Sequence, residues 1–181
     1  MNKKEDILKS ALTLFVERGE QSTSMKCVAK HANCGIGTMY NYFESKVELI
    51  NELYLAYKTK LFRPLNPIID AEACIKNQFI LAWLQMVDFA LQHPTEYKFL
   101  QAFSHSPKIS KETAEKVQSL IKPVMRIYEE GKKQGLIKDL DSIELIMFTN
   151  GAITASIMNN PNMNEETKKT IINMAWDAIK R

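Results

Sequence analysis

The sequence predicts an all-α protein of about nine helices, and three observations support that prediction. The chain has 181 residues but only six glycines and six prolines, the residues that most often interrupt helices. Long segments repeat their apolar residues at the helical period of about 3.6 residues. Several of these segments begin with a serine, asparagine or aspartate that can cap a helix.

Composition indicates an ordinary globular protein but does not indicate its function. The chain is 45% hydrophobic and 25% charged, which is typical of a globular protein with one or two packed domains. Its net charge is +3, and residues 1–46 hold seven lysines and arginines against five acidic residues. So small an excess usually belongs to a solvated surface. A DNA-binding role must therefore rest on a motif and not on charge.

Cysteine usage and hydropathy predict a cytoplasmic protein. The three cysteines, an odd number without framework spacing, are typical of a reducing compartment. Lys9, Ser10 and Thr13 interrupt the apolar residues of the N-terminal segment, which predicts an amphipathic helix and not a signal peptide. No run of 18 apolar residues occurs, so we expect no membrane span and no membrane partner.

The first predicted helix runs from Lys3 to Arg18. Asn2 and Glu5 can form a cap pair, and Gly19 is placed to end the helix. We expect its broad apolar face to hold the next two helices in position. That face consists of Ile7, Leu8, Ala11, Leu12, Phe15 and Val16.

Two short helices joined by a tight turn are predicted next. The first begins at Thr23 or Ser24, whose hydroxyls can cap it. Asn33 suits the turn because asparagine tolerates the left-handed backbone conformation. The second helix is too short to be stable alone, so its neighbours must hold it. Helical spacing predicts its inward residues to be Ile36, Met39, Tyr40 and Phe43, and its outward residues to be Thr38, Asn41 and Tyr42.

This pattern predicts a helix-turn-helix that binds DNA. Such a motif places its second helix in the major groove while the first helix crosses the backbone. Threonine can contact a thymine methyl group or a phosphate, tyrosine hydroxyls can contact phosphates, and glycines permit close approach. Spacing alone leaves open that the aromatic residues only close a small three-helix core. The candidate DNA-binding residues are Thr23, Ser24, Lys26, Gly35, Gly37, Thr38, Tyr40, Asn41, Tyr42 and Lys46.

A capping box formed by Ser45 and Glu48 starts a helix that runs from Lys46 to about Phe62. Lys46 adds a positive charge to the positive end of that helix, which predicts an anion site. The helix ends before a proline-bearing break at residues 63–67, and it therefore connects two parts of the chain.

The connecting helix also divides the predicted domains. We assign residues 1–46 to a helix-turn-helix DNA-binding domain and residues 47–181 to a helical effector-binding and dimerisation domain. Five further helices are predicted in the second domain, with a kink at Pro123 in the third of them. They span residues 70–92, 94–104, 110–134, 142–158 and 165–180.

The segment ANCGIGTMYNYFESKVEL, from Ala32 to Leu49, resembles the signature of the tetracycline-repressor (TetR) family of bacterial transcription regulators. That signature reads roughly A-G-V-S-x-G-T-L-Y-x-Y-F-x-S-K-x-x-L. The first-helix segment KEDILKSALTLFVERG also resembles the family, and the two segments together cover about the first quarter of the chain. The matching signature residues are Ala32, Gly37, Thr38, Tyr40, Tyr42, Phe43, Ser45, Lys46 and Leu49.

The sequence departs from that signature at three positions. Asn33 replaces the usual turn glycine, and Cys34 replaces an aliphatic residue. Gly35 replaces the serine or threonine that starts the recognition helix. The last departure removes a helix cap and a phosphate contact.

The segment at residues 143–158, IELIMFTNGAITASIM, is apolar around nearly its whole circumference and needs cover on two sides. Its small residues permit another helix to approach closely, and an intramolecular core remains an alternative. The resemblance implies a homodimer in which the last two helices of each copy form a four-helix bundle. Such a dimer presents two recognition helices to a palindromic operator. The candidate interface residues are Gly151, Ala152, Ala155, Ile172, Trp176 and Ile179.

A ligand pocket is the remaining expectation for the second domain. Pockets in helical bundles are mostly apolar with a few polar groups, so we expect a largely apolar small-molecule effector and no cofactor. Each candidate taken singly is more often a core residue than a ligand contact. The candidate lining residues are Trp83, Met86, Phe103, Met125, Tyr128, Phe148 and Asn150.

No catalytic or metal site is predicted. Cys27, His31 and Cys34 are spaced as C-x3-H-x2-C, but a zinc site normally has four ligands and no fourth candidate lies nearby in the sequence. A redox-sensitive thiol is the minor alternative. The three histidines accompany no hydrolase, metalloprotease or phosphate-loop motif, so we do not expect an enzyme.

The residues and the resemblance together predict a TetR-like transcription regulator. It would act as a repressor that a small molecule releases from a palindromic operator in double-stranded DNA. The alternatives are a ligand-responsive activator, and an all-helical interaction protein or enzyme without DNA binding. Salt-dependent binding to duplex DNA separates the regulator from the last two.

Overall fold

The computed structural model describes residues 3–181, except for the side chain of Asn66. Asn2, the predicted partner of Glu5 in capping the first helix, lies outside the described residues. Within residues 3–181 there is no strand, only an isolated β-bridge between Ile137 and Lys180, and no helix has the length and apolar character needed to cross a bilayer. The all-α fold class is confirmed. The ten helices of this range are α1 (Lys3–Arg18), α2 (Met25–His31), α3 (Ile36–Tyr42), α4 (Lys46–Phe62), α5 (Leu65–Asp70), α6 (Ile75–Gln92), α7 (Pro94–Phe103), α8 (Lys111–Lys133), α9 (Ser142–Asn159) and α10 (Glu165–Ile179).

Most helix ends lie where the capping signals predicted them. Ser24, Asp141 and Asn164 are N-caps whose side chains accept hydrogen bonds from backbone N–H groups of α2, α9 and α10. Gly19 and Gly135 have positive φ angles of 79° and 69° shortly after the ends of α1 and α8. These signals are reliable because they satisfy backbone groups that a helix end leaves unpaired.

The segment predicted as a proline-bearing break contains a helix. Leu65–Asp70 forms α5, and α6 begins at Ile75 instead of Asp70. Pro67 lies in the first turn of α5, where the N–H group that proline lacks would have no partner within the helix. Leu65 and Ile69 are buried, and α5 packs against α6. Tertiary packing therefore holds a helix that is too short to be recognised from its sequence.

The described chain divides into two compact units. The first unit contains the residues up to Thr59 together with His93–Val117, and the second contains Lys60–Gln92 and Gln118–Arg181. The first unit thus combines α1 to α3 and most of α4 with α7, which is distant in the sequence. α8 begins in the first unit and ends in the second.

An aromatic cluster joins α7 to α1 and α4 in the first unit. The ring centroid of Phe15 lies 6.2 Å from that of Phe99 and 6.1 Å from that of Phe103, and Phe99 and Phe103 are 4.6 Å apart. Tyr57 of α4 meets Phe99 edge-on at 6.4 Å. Aromatic pairs at these distances attract each other beyond the effect of their buried area. α7 therefore contributes to positioning the N-terminal helices.

Phe79 of α6 lies at the centre of the core of the second unit. Its ring centroid lies 6.1 Å from that of Trp83, 5.9 Å from that of Tyr128 and 5.3 Å from that of Trp176. The indole Nε1 of Trp83 donates a hydrogen bond to the Tyr128 hydroxyl at 3.1 Å. α10 packs against both α6 and α9, so its apolar stripe is used within the chain.

Candidate nucleic-acid interface

The helix-turn-helix consists of α2, α3 and the turn between them. Met25, Val28 and Ala29 bury one side of α2, and Met39 is the buried residue of α3. Asn33 has a φ of 49°, the left-handed conformation that was predicted for the turn. α2 packs against both α1 and α3. Because a helix of seven residues is unstable alone, these contacts determine where α3 lies.

Almost all of α3 is exposed to solvent. We predicted that Ile36 and Tyr40 face inward, but the structure places them outside, 44% and 51% exposed. A helix of two turns buries only a narrow stripe, and Met39 with Phe43 fills it. The surface that α3 offers to a partner is therefore larger than its periodicity predicted. The exposed residues of α3 are Ile36, Gly37, Thr38, Tyr40, Asn41 and Tyr42.

Two glycines leave the beginning of α3 open. Gly35 is the N-cap and makes no side-chain capping bond, in agreement with its departure from the family signature. A Cβ atom on Gly37 would meet no other atom within 4 Å. Glycine inside a helix costs about 1 kcal/mol relative to alanine, and packing within the chain does not explain that cost here. The space above Gly37 is free for the backbone of another molecule.

Polar residues of α2 continue the exposed surface of α3. Ser24 accepts a hydrogen bond from the Cys27 backbone N–H at 3.2 Å and remains exposed. Lys26 and Lys30 are exposed one turn apart, and both line a surface depression that reaches Ile36 of α3. The sequence candidates did not include Lys30. Its spacing of four residues from Lys26 is the signal that places both lysines on one face.

The structure does not place Thr23 on this surface. The residue is only 1% exposed, and its hydroxyl lies 2.9 Å from the Gly19 carbonyl oxygen and 3.2 Å from that of Leu14. A buried hydroxyl requires such partners. Thr23 therefore holds the turn between α1 and α2, while the neighbouring Ser24 caps α2.

The Lys46 ammonium group also contacts the turn between α1 and α2. Its Nζ lies 2.7 Å from Glu20 Oε1 and donates to the backbone carbonyl oxygens of Glu20 at 3.0 Å and Thr23 at 3.2 Å. Two N–H groups of the ammonium therefore bond to the turn, and its charge is paired with the Glu20 carboxylate. In this geometry Lys46 fastens the turn to the start of α4 and does not present a free cation to an anion.

The second carboxylate oxygen of Glu20 binds another lysine. Lys108, in the loop between α7 and α8, has its Nζ 2.6 Å from Glu20 Oε2. The Lys108 and Lys46 ammonium groups hold the pKa of Glu20 below its ordinary value of 4.5. Glu20 thus joins three segments of the first unit that sequence spacing did not connect.

Cys27 and Cys34 are half-buried free thiols. The Ser24 hydroxyl lies 3.2 Å from the Cys27 sulfur, and this hydrogen bond lowers the pKa of Cys27. In the part of the chain that the structure describes, no three histidine, cysteine or acidic side chains are arranged to hold a metal ion.

The candidate effector-binding residues do not all lie in one place. Phe103 belongs to the aromatic cluster of the first unit, and Phe148 of α9 is exposed. Trp83 and Tyr128 are buried in the second unit and satisfy each other by a hydrogen bond, and burial raises the pKa of Tyr128. Met86 is buried in the same unit, whereas Met125 and Asn150 are half-buried.

The candidate dimer residues also fall into two groups. Gly151, Ala152 and Ala155 of α9 are exposed, as an interface requires. In contrast, the α10 residues Ile172, Trp176 and Ile179 are buried within the chain itself. The apolar stripe of α10 packs against α6, where Trp176 contacts Phe79, so these residues are not free for a partner. The exposed apolar side chains that the candidates omitted are Ile143, Met147, Phe148 and Met158 of α9, and Met174 of α10.

The fold and the exposed short helix define a helix-turn-helix protein. Residues 7–53 match the sequence model described as "Bacterial regulatory proteins, tetR family". Residues 74–180, more than half of the chain, match the model described as "Tetracyclin repressor-like, C-terminal domain". The chain belongs to the TetR family of bacterial transcription regulators.

Relatives and solved structures agree with this assignment. The helix-turn-helix regulator YhgD of Bacillus subtilis is 26% identical over 78% of this chain and 75% of its own length. The biofilm operon negative regulator IcaR of Staphylococcus aureus is 26% identical over 91% of this chain and 90% of its own.

Two solved structures illustrate the shared fold. A TetR-family regulator from Shewanella sp. PV-4 has a TM-score of 0.89 at 21% identity, with all of both chains covered. FadR of Bacillus subtilis, solved in complex with stearoyl-CoA, has a TM-score of 0.74 at 19% identity, covering 96% of this chain and 95% of its own.

Proposed function

We propose that this chain is a homodimeric repressor that binds a palindromic operator in double-stranded DNA and leaves it when a small molecule binds. α3 lies in the major groove in this proposal. Its main support is the exposure of α3, where Met39 is the buried residue among seven. Residues 1–46 then form the DNA-binding domain, and residues 47–181 form the effector-binding and dimerisation domain. The site of action is the bacterial cytoplasm.

We assign the sequence-reading contacts to α3. Thr38 can contact a thymine methyl group, and the Asn41 amide can bond to an adenine edge. The hydroxyls of Tyr40 and Tyr42 suit phosphate oxygens on either side of the groove. The open space above Gly37 lets the start of the helix approach the DNA backbone closely.

The α2 helix supplies backbone contacts in this proposal. Ser24, Lys26 and Lys30 are exposed, and they suit the phosphates that the first helix of the motif crosses. Gly35 contributes its backbone N–H group in place of the missing hydroxyl. Lys46 positions the turn between α1 and α2, since two of its N–H donors bond to that turn and its charge is paired with Glu20.

The proposed dimer uses the exposed face of α9. Its large apolar side chains are 56–74% exposed, and each would contribute about 1.5–3 kcal/mol if it were fully buried. Gly151 lies on the same face, and a Cβ atom there would meet nothing within 4 Å. A partner helix can therefore approach α9 closely at this point. Two-fold pairing would present two copies of α3 to a palindrome.

The proposed effector site lies in the second unit, near Trp83, Met86 and Tyr128. FadR was solved with stearoyl-CoA, which supports a small molecule within this kind of fold. An effector that enters between Trp83 and Tyr128 has to replace their hydrogen bond, so it needs a polar group as well as apolar surface. The sign of regulation follows IcaR, whose name identifies it as a negative regulator.

The experiment that tests DNA binding selects duplexes from a random-sequence pool with the full chain in dilute buffer. We expect enrichment of a palindrome whose half-sites lie about one or more helical turns apart, with an affinity that falls steeply as salt rises. Failure to retain any duplex at low salt would refute the proposal. A reporter gene placed behind the selected duplex then separates repression from activation.

A further inference from the structure

The loop at residues 104–110, between α7 and α8, is attached to α4 through Asn51. The Asn51 side chain is buried, and its Nδ2 donates to the Lys108 carbonyl oxygen at 2.8 Å. Its Oδ1 accepts a hydrogen bond from the Ser110 N–H, also at 2.8 Å. One side-chain amide thus bonds to the backbone of the loop on both sides of Ile109, which fixes this part of the loop against α4.

Glu20 forms the second attachment of the same loop. Its carboxylate lies between Lys108 of the loop and Lys46 of α4, with one oxygen on each ammonium group. The side chain of Glu20 is only 13% exposed, whereas the Lys46 and Lys108 side chains are 28% and 38% exposed, so solvent ions screen these contacts in part. Lys46 also binds the backbone of the turn, including the carbonyl of Thr23, the residue before the N-cap of α2. A continuous set of contacts therefore connects the loop to the start of the helix-turn-helix.

Neither attachment has a part in the DNA contacts proposed above. The contacts nevertheless join the helix-turn-helix to the segment that leads into α8, and α8 carries the chain into the second unit. A loop bonded in this way cannot shift without either breaking the Lys108–Glu20 contact or moving the turn.

We propose that Glu20 is a positioning residue for DNA binding, because it couples the position of the loop at residues 104–110 to the turn from which α2 begins. The inference rests on the proposed function and deepens it. The loop then acts as part of the DNA-reading unit, and Lys108 affects operator affinity through Glu20 without touching DNA. A direct contact between Lys108 and a phosphate is the competing explanation, since the Lys108 side chain is 38% exposed.

The test measures binding of a selected duplex over a series of salt concentrations. Lys108→Met should weaken binding by about two- to fivefold, as expected for loss of one partly screened ion pair. The slope of log affinity against log salt should not change, because no phosphate contact is lost. Lys108→Arg keeps the charge and should retain affinity. The matched control is Lys111→Met, which removes the same charge from a side chain that is 92% exposed, and it should bind like the parent chain.

A double-mutant cycle that combines Lys108→Met with Glu20→Gln shows whether Lys108 affects DNA affinity through Glu20. If Lys108 acts through Glu20, Lys108→Met should have little further effect in the Glu20→Gln chain. Hydrogen exchange provides a second readout, because the Thr23 N–H bonds to the Glu20 carbonyl in the turn. Lys108→Met should speed exchange at Thr23 while thermal melting shows the chain to be folded.

Three results would overturn the proposal. A salt slope reduced by about one, with an effect that persists in the Glu20→Gln chain, would make Lys108 a phosphate contact. Equal behaviour of Lys108→Met and Lys111→Met would remove any role for the loop, and so would unchanged exchange at Thr23. A parent chain that binds no duplex would refute the proposed function itself, which distinguishes the two failures.

Discussion

Helices α3 and α9 both expose large side chains, but the chemistry of these side chains differs. α3 exposes two tyrosines together with Thr38 and Asn41. α9 exposes isoleucine, methionine and phenylalanine side chains around Gly151 and two alanines. Hydroxyl and amide groups can bond to a wet, polar partner, whereas purely apolar side chains gain only by leaving water. Similar exposure thus indicates a nucleic acid for one helix and a second protein surface for the other.

Charge placed on the exposed face of α9 should have the largest effect. Met147→Glu combined with Phe148→Glu should convert the proposed dimer to a monomer, because two carboxylates from each protomer would have to be buried in the interface. Operator affinity should then fall by about 10²- to 10⁴-fold, since the two half-sites are no longer bound by linked modules. Sedimentation and duplex binding check both effects.

The matched control is Ile68→Glu, which adds a charge at an exposed apolar residue of α5. It should leave the dimer and the affinity unchanged. A doubly substituted α9 that stays dimeric would contradict the assignment of the interface.

Trp176→Ala tests whether the apolar residues of α10 belong to the core of the chain, whereas those on the exposed face of α9 belong to an interface. Trp176 packs on Phe79 inside the chain, so its truncation should lower the free energy of unfolding by about 3–5 kcal/mol. Urea unfolding of the variant measures this loss, and the α9 substitutions should have a much smaller effect per protomer. The opposite result would be a Trp176→Ala chain that is monomeric but has the same free energy of unfolding as the parent. That result would support the sequence-based prediction that Trp176 lies at the dimer interface.

Tyr42→Phe tests the polar character of α3. Removing one hydroxyl that bonds to a charged phosphate should cost about 1–2 kcal/mol of binding, or roughly five- to thirtyfold in affinity, on every duplex sequence. Equilibrium binding to the selected operator and to an unrelated duplex measures the loss.

Tyr54→Phe is the control for the same chemical change. Tyr54 is buried in α4, where desolvation raises its pKa to about 12, and its substitution should not weaken DNA binding. A Tyr42→Phe chain with unchanged affinity would mean that this hydroxyl does not reach a phosphate.

The sequence predicted the helix-turn-helix better than it predicted which residues are free to form a dimer interface. Caps, the left-handed turn residue and the spacing of short helices are local signals, and the structure has most of them where they were expected. The capping box of Ser45 is an exception in part, because Glu48 accepts from the Glu44 N–H and not from that of Ser45. Burial depends on what covers a helix, so periodicity alone did not distinguish the exposed Tyr40 from the buried Met39. It also assigned the stripe of α10 to a partner, because spacing does not identify α6 as its cover.

Long-range polar contacts were the least predictable feature. Lys46 was expected to be an anion site from its place at the start of α4, a local argument. Its real partner is Glu20, which lies 26 positions earlier, and Lys108 comes from a loop much further along the chain. No pattern in the sequence pairs these residues, because the folded packing of α1, α4 and α7 brings them together.

Glu20→Gln gives the smallest expected effect and tests what holds α3 in place. The pKa of Glu20 is lowered by folding, so the ionised carboxylate stabilises the folded chain at a pH above its ordinary pKa of 4.5. That contribution is lost as the pH falls through the lowered pKa of the folded state. Glu20→Gln should therefore lower the free energy of unfolding by about 0.5–1 kcal/mol at pH 7. The difference from the parent chain should vanish in acid.

Urea unfolding of both chains between pH 3 and pH 7 checks this prediction. Glu115→Gln on α8 is the control, with a smaller expected change because its side chain is 63% exposed and exposed ion pairs contribute little. A constant difference between Glu20→Gln and the parent at every pH would show that the loss comes from packing and not from charge. The helix-turn-helix would then be held by its apolar contacts and backbone hydrogen bonds, and the charge of Glu20 would have no part in holding α3 in place.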